Sequence, residues 1–183
     1  KYAVEAFGSL EMLGVYVFYS GVVMGLYNIL DPAIFSFLYP KMVKSYQKKD
    51  EFIFNKLFYE LSISTFIISI LMGIIILFLV PYIITWIDKD IYKHHLNGLN
   101  ILILAGFLYS VAYVPHYGLY AMNGDKWIVV SHITSLIVFF LSLKFIVLEN
   151  SIEMISWGLF ISFGWMAFVK TVAYRVVKKY SFL

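Results

Sequence analysis

Residues 61 to 87 read LSISTFIISILMGIIILFLVPYIITWI, and none of these 27 side chains carries a charge. A helix rises 1.5 Å per residue, so about 20 apolar residues cross the roughly 30 Å hydrocarbon core of a bilayer. A continuous apolar run of this length is typical of a transmembrane helix, whereas the strands of a membrane β-barrel are shorter and alternate in polarity. The stretch therefore predicts an all-α membrane protein.

The composition of the whole chain supports this interpretation. Of the 183 residues, 62% are hydrophobic and only 14% are charged. A soluble domain is typically about 45–50% apolar and about 25% charged. The chain has no cysteine, which excludes disulfides, thiolate metal sites and cysteine nucleophiles.

Four further apolar runs meet the length that a membrane span requires. They predict a helical bundle that forms one domain over residues 1–183, with about five transmembrane helices. The helices are expected at about 12–39, 61–87, 96–122, 127–148 and 154–174. The connections between them are short, and Asn123-Gly-Asp-Lys126 has the composition of a tight turn.

Small residues recur on one face of several predicted helices. In the fourth span, Ser131, Ser135 and Ser142 are spaced by four and then seven residues, which places them on one helical face. The fifth span has Gly158 and Ser162 in a similar line. We expect these faces to form close helix–helix contacts, as small residues do in membranes.

The basic residues are distributed unevenly between the two sides of the predicted bundle. Ten of the 14 lie in the connection after the first span, in the turn at Lys126 and in the segment from Lys170 to Lys179. The other four lie on the opposite side, namely Lys1, Lys89, Lys93 and Lys144. Loops that are rich in lysine and arginine face the cytoplasm, so we expect a cytoplasmic C-terminus.

An aspartate interrupts the first predicted span, in the stretch NILDPAIFSFLYPK at residues 28–41. Asp31 lies about 13 Å inside the end of the span at Pro40, where a charge costs about 2.5–3.5 kcal/mol on insertion scales. Asn28 lies on the same helical face, and Pro32 can kink the helix. We therefore expect Asp31 and Asn28 to line a cavity or substrate path. The alternative is a neutral aspartate bonded to another helix, or an aspartate at a helix break.

Two other ionisable side chains are candidates for the same path. His116 follows Pro115, where a second kink is expected, and it is either a proton-linked site or a histidine satisfied by a neighbouring helix. Lys144 either extends to the outer interface or faces the cavity, where it would attract an anionic head group. The histidines lack the spacing of metal ligands, so we expect neither a metal nor a cofactor.

Two stretches resemble a known family of transporters. In LEMLGVYVFYSGVVMGLYNILDPAIFSFLYPKMVKSYQKKDEF, Gly14-Val15-Tyr16 follows an acidic residue, and a long helix ends at Tyr39-Pro40 before a basic stretch. In MNGDKWIVVSHITSLIVFFLSLKFIV, the turn Gly124-Asp125-Lys126 precedes the next span. Both resemble lipid-linked polysaccharide (O-antigen) flippases, polysaccharide biosynthesis proteins of the multidrug/oligosaccharidyl-lipid/polysaccharide exporter superfamily.

This resemblance implies a MATE-like two-lobe transporter with about twelve or more spans, of which this chain would form most of the C-terminal lobe, the N-terminal lobe being missing. It implies flipping of an undecaprenyl-pyrophosphate-linked oligosaccharide across the bacterial cytoplasmic (inner) membrane in O-antigen, lipopolysaccharide or other polysaccharide biosynthesis. The implied partners are the lipid-linked oligosaccharide, membrane lipids and the remaining lobe. We expect no nucleic acid, because the lysines after the first span suit anionic lipid and topology.

Three alternatives stay open. A multidrug exporter of the same fold would also use an acidic residue in its cavity. An integral-membrane lipid-modifying transferase would need a clustered acid, base or metal site, and a structural subunit would need no site at all. The sequence has no GxSxG, P-loop or paired-carboxylate motif, so we expect a transporter rather than an enzyme.

Overall fold

A computed structural model describes residues 9–146 and 151–182. Within these residues the chain is helical and contains no β-strand. Five helical segments are long and apolar enough to cross a membrane, which makes the chain a multi-pass membrane protein and confirms the predicted all-α bundle. Lys1 and the predicted end of the fourth span at Leu148 lie outside the described residues.

The first crossing contains three pieces, and each of the other four crossings is a single helix. The elements are α1 (Leu10–Tyr27), a π-helical turn (Asp31–Phe35), α2 (Ser36–Gln47), α3 (Glu51–Ile87), α4 (Asp90–His94), α5 (Leu96–Ala121), α6 (Asp125–Phe145) and α7 (Ser151–Ser181). Several helices extend past the ranges predicted from apolar runs. The largest extensions are at the start of α3 and at the end of α2. The prediction that the first long helix ends at Tyr39-Pro40 is wrong, since α2 continues through Pro40 to Gln47. An apolar run marks only the part of a helix inside the hydrocarbon, and the helix continues into the interface.

The first crossing is interrupted where the sequence places Asp31 and Pro32. Helix α1 ends at Tyr27, and the regular hydrogen-bond pattern returns only at Ser36. Because Pro32 has no backbone N–H, the helix loses one of its i→i−4 hydrogen bonds here. The backbone carbonyl of Asp31 instead accepts hydrogen bonds from the backbone N–H of Ser36 and from its hydroxyl, the latter at 3.1 Å. A helix break is therefore present at Asp31, whereas α5 continues as an α-helix through Pro115.

The connections use residues that suit tight turns. The Asp50 carboxylate caps α3 by accepting a hydrogen bond from the Ile53 N–H at 3.0 Å. Asn123 adopts a left-handed conformation with φ 59° between α5 and α6, which confirms the tight turn predicted there. Outside the spans, Lys93 donates a 3.0 Å hydrogen bond to Asp90, and this bond lowers the pKa of the Asp90 carboxyl.

Helix α5 is the centre of the bundle and contacts α1, α3 and α7. In its most apolar stretch of 18 residues, 61% is buried inside the bundle, compared with 11% in the corresponding stretch of α6. The close approach of α1 depends on Gly106, since a β-carbon there would lie 2.6 Å from the ring of Tyr27. That ring is fixed by its surroundings, because Tyr27 is 3% exposed and its hydroxyl donates to the Ser69 carbonyl at 3.3 Å.

The seam between α6 and α7 consists of the small residues that the sequence placed on one face. Ser131, Ser135 and Ser142 are the buried residues of α6. The Ser162 hydroxyl of α7 donates to the Ser135 carbonyl at 2.8 Å. A β-carbon at Gly158 would lie 3.2 Å from the Ser142 hydroxyl oxygen. These contacts confirm the predicted small-residue interface.

We predict that Gly106→Ala destabilises the protein and that Gly25→Ala does not. Both substitutions gain the same helix propensity, but only a β-carbon at Gly106 meets buried side chains, whereas none lies within 4 Å of Gly25. Overpacking of this kind costs about 1–3 kcal/mol. Unfolding of the detergent-solubilised proteins, followed by circular dichroism, measures the difference between the two variants. Equal stability of both would contradict the close α1–α5 contact.

Candidate functional site

The candidate site lies near one end of the bundle, which we call the basic end. This end carries the α2–α3 turn, the α5–α6 turn and the C-terminus of α7. Lys49 Nζ donates to the Ser181 carbonyl at 2.7 Å and so joins the first and last of these segments. Counted along the helices, a layer of polar and aromatic residues lies about 6–16 Å inside this end on α5, α6 and α7, and about 24 Å from the end of α2 at Gln47. This polar layer consists of Asp31, Tyr113, His116, Tyr117, His132 and Lys170.

Asp31 lies on the outside of the bundle at the helix break. Its side chain is exposed, as is that of Asn28. The Tyr117 hydroxyl of α5 donates a hydrogen bond to the Asp31 carboxylate. Asp31 and Asn28 also line one small recess together with Tyr109 and Tyr113. The structure thus brings the two predicted residues of the first span together, beside tyrosines that the sequence interpretation had not assigned to the site.

The tyrosines of α5 form the wall of this recess. Tyr109, Tyr113 and Tyr117 are spaced by four residues, so they share one face of the helix. The ring of Tyr117 stacks on Phe35 of the π-helical turn with 4.6 Å between ring centroids. The hydroxyl oxygens of Tyr109 and Tyr113 are 2.8 Å apart and form a hydrogen bond. The wall therefore offers both aromatic faces and hydroxyl groups at membrane depth.

His116 lies one residue before Tyr117 and faces α6. Its ring centroid is 6.2 Å from that of His132 and 5.4 Å from that of Tyr117. Its Nδ1 atom is buried without a hydrogen-bond partner among the described residues. No described residue of a neighbouring helix forms a hydrogen bond with Nδ1, so this atom does not support the alternative of a histidine satisfied by a neighbouring helix. Asp31 and His116 are not bonded to each other, but both contact Tyr117.

Lys170 is a site residue that the sequence interpretation missed. Its side chain is only 2% exposed. Its Nζ atom lies 3.4 Å from Nε2 of His132 and 6.0 Å from the ring centroid of Tyr113. It forms no ion pair, because the only salt bridge in residues 9–146 and 151–182 joins Lys93 to Asp90. A buried lysine whose polar partner is a histidine is unusual inside a membrane, which makes Lys170 a candidate functional residue.

The sequence contained a signal for Lys170. We had assigned it to the end of the fifth span, among the basic residues of the C-terminal segment. Helix α7 continues for eleven residues beyond it, about 16 Å, and the next four residues are Thr-Val-Ala-Tyr. His132 lies among the serines of the fourth span, and the sequence interpretation assigned that stretch to helix packing alone. Lys144 is exposed near the opposite end of α6 and does not join the polar layer.

We predict that Lys170→Met keeps or raises the stability of the protein. The lysine loses its hydration on burial and gains one neutral partner, whereas methionine has a similar length and no charge to bury. Replacement of buried charged groups by apolar ones is often neutral or stabilising by about 1–4 kcal/mol. Lys144→Met is the control and should change stability by less than about 0.5 kcal/mol, because Lys144 is exposed. Denaturation in mixed micelles measures both, and clear destabilisation by Lys170→Met would show that the lysine serves the fold.

The polar layer combines hydrogen-bonding groups, aromatic faces and separated opposite charges, which suits recognition of a polar ligand. Within residues 9–146 and 151–182 there is no group of three His, Asp or Glu side chains that could hold a metal ion. The chain matches no family model, no curated protein and no solved structure. Its function must therefore be inferred from the residues and their geometry.

Proposed function

We propose that this chain is part of a bacterial flippase that moves an undecaprenyl-pyrophosphate-linked oligosaccharide across the cytoplasmic membrane, with its C-terminus in the cytoplasm. The observation that carries the proposal is the exposed carboxylate of Asp31 within the first helical segment that is long and apolar enough to cross a membrane. Lipid tails cannot solvate a carboxylate, so this face of the bundle must border water or other protein. A path for a polar substrate between two lobes meets that requirement.

The groups around Asp31 suit a carbohydrate. Asp31 and Asn28 can accept and donate hydrogen bonds to sugar hydroxyls. The rings of Tyr39 and Tyr120 stack with centroids 5.2 Å apart and extend the aromatic wall towards the basic end. Aromatic side chains combine a large apolar face with a polar handle, which matches the alternating C–H and O–H surface of a sugar.

The buried charge of Lys170 bears on the choice between substrates. A multidrug exporter for amphipathic cations would gain from Asp31 but would be opposed by a lysine in the same layer. A pyrophosphate-linked oligosaccharide presents a neutral or acidic sugar and an anionic linkage, and both tolerate the lysine. For this reason the lipid-linked oligosaccharide is the better match to the polar layer.

We predict that Asp31→Asn slows transport roughly tenfold without reducing the amount of protein in the membrane. A hydrogen bond to a charged group contributes about 1.5–3 kcal/mol, and the amide cannot replace it. The intact protein is reconstituted into liposomes with a lipid-linked oligosaccharide that carries a fluorescent nitrobenzoxadiazole label. Dithionite then reduces only the label in the outer leaflet, so the rate of signal loss reports flipping.

Asp125→Asn is the matched control, because Asp125 is also exposed but lies at the start of α6 beside the turn. It should transport at the wild-type rate. Equal rates for Asp31→Asn and wild type, at equal protein in the liposomes, would contradict the role of Asp31. Faster export of a fluorescent amphipathic cation than of the labelled glycolipid would favour the multidrug exporter instead.

A further inference from the structure

A second site lies on the opposite face of α5 from the polar layer. At 100° per residue, Val111 and Pro115 are turned away from Tyr109 and Tyr113. Together with α3 and α7 they enclose a cleft of about 310 Å³ inside the membrane region. Its apolar lining includes Phe58, Phe66, Val111, Val114 and Pro115.

The cleft lies next to a basic pocket at the basic end. The two cavities share Tyr174 and Arg175 of α7 as lining residues. The basic pocket measures about 500 Å³ and is also lined by Lys178, Lys179 and Glu51. Its three cations exceed its one carboxylate by two charges, and no salt bridge neutralises them in the described part of the chain. An anionic group would bind here favourably.

Two buried hydroxyls at the apolar cleft have no partner. Thr65 Oγ1 and Tyr174 Oη are both buried without a hydrogen bond among the described residues. Thr65 is fully buried and Tyr174 is 7% exposed, so water does not compensate them from outside. Buried hydroxyls are nearly always hydrogen-bonded in folded proteins. Neither oxygen is open to the surface of the cleft, so a ligand in the cleft does not contact them without movement of the surrounding side chains.

We propose that the cleft and the basic pocket together bind a phospholipid with an anionic headgroup. An acyl chain lies in the apolar cleft, the ester region lies near Tyr174, and the phosphate lies beside Arg175, Lys178 and Lys179. The arrangement follows the order of groups in a phospholipid, from apolar tail to anionic head. The basic end also places the headgroup pocket at the membrane surface, where lysine and arginine clusters bind anionic lipids.

This site is separate from the polar layer, so it stands or falls independently of the proposed transport activity. A soluble anion such as inorganic phosphate has the same charge chemistry as the headgroup. It would use the basic pocket but leave the apolar cleft unoccupied. The cleft therefore distinguishes a lipid from a free anion.

The test compares phosphatidylglycerol with phosphatidylcholine of identical acyl chains by native mass spectrometry of the intact, detergent-solubilised protein. We expect the wild-type protein to retain phosphatidylglycerol in preference. Arg175→Gln/Lys178→Gln/Lys179→Gln should reduce that preference at least about tenfold, as the loss of three cations at a membrane surface implies. Lys41→Gln/Lys56→Gln/Lys126→Gln removes the same charge at the same end from three other helices and should retain the preference.

A second variant examines the tail. Val111→Phe narrows the cleft and leaves all the basic residues in place, so it should weaken retention of phosphatidylglycerol while the melting temperature stays near that of wild type. Equal losses in the two triple variants would overturn the proposal, because they would indicate a diffuse charge effect. Displacement of phosphatidylglycerol by millimolar inorganic phosphate, or unchanged retention in Val111→Phe, would also overturn it in favour of a free-anion site.

Discussion

The hydrocarbon of a bilayer offers no hydrogen-bond partner, so each polar group inside it must be satisfied by the protein, by water or by a ligand. Most polar side chains of this bundle meet that requirement locally. The serine and threonine hydroxyls of the spans usually donate to a carbonyl in the preceding turn of their own helix, as Ser62 does to Phe58 and Ser110 to Gly106. Helices built in this way can pack closely through small residues without leaving these hydroxyls unpaired. Among the described residues, the exceptions are the hydroxyls of Thr65, Ser69 and Tyr174 and Nδ1 of His116. All but Ser69 belong to two places, the polar layer and the wall of the apolar cleft.

The two places lie on opposite faces of α5. On one face Tyr109, Tyr113 and Tyr117 meet the helix break at Asp31, and on the other Val111 and Pro115 line the apolar cleft. This central helix, tyrosine-rich on one side and aliphatic on the other, separates the polar layer from the apolar cleft. Gly106 and Gly118 allow the neighbouring helices to approach α5, since a β-carbon at either would meet a tyrosine ring within 3 Å. The division between the two sites thus depends on how closely α1 and α7 pack on α5.

Much of this architecture could be predicted from the sequence, because it depends on local patterns. The five helices follow from apolar length, and the α6–α7 seam follows from the spacing of Ser131, Ser135 and Ser142. The depth of Asp31 counted back from Pro40 rests on a wrong helix end, because α2 continues through Pro40 to Gln47. The partner of Asp31 could not be predicted, since Tyr117 is 86 positions away and meets it only through the packing of α5 on the π-helical turn. Lys170 was misassigned because a lysine near the end of an apolar run is normally interfacial.

The separation of Asp31 from Lys170 bears most directly on function. Two opposite charges in one layer of a membrane bundle would gain most by pairing with each other, because the low dielectric strengthens their attraction. They do not pair here: Asp31 accepts from a tyrosine hydroxyl, and Lys170 lies beside a histidine. Phe35 and Tyr113, which stack with 5.5 Å between ring centroids, belong to the elements that lie between them. In the transport role that we propose, this separation leaves both groups available to a polar, charged substrate, because groups that are already paired with each other cannot engage one.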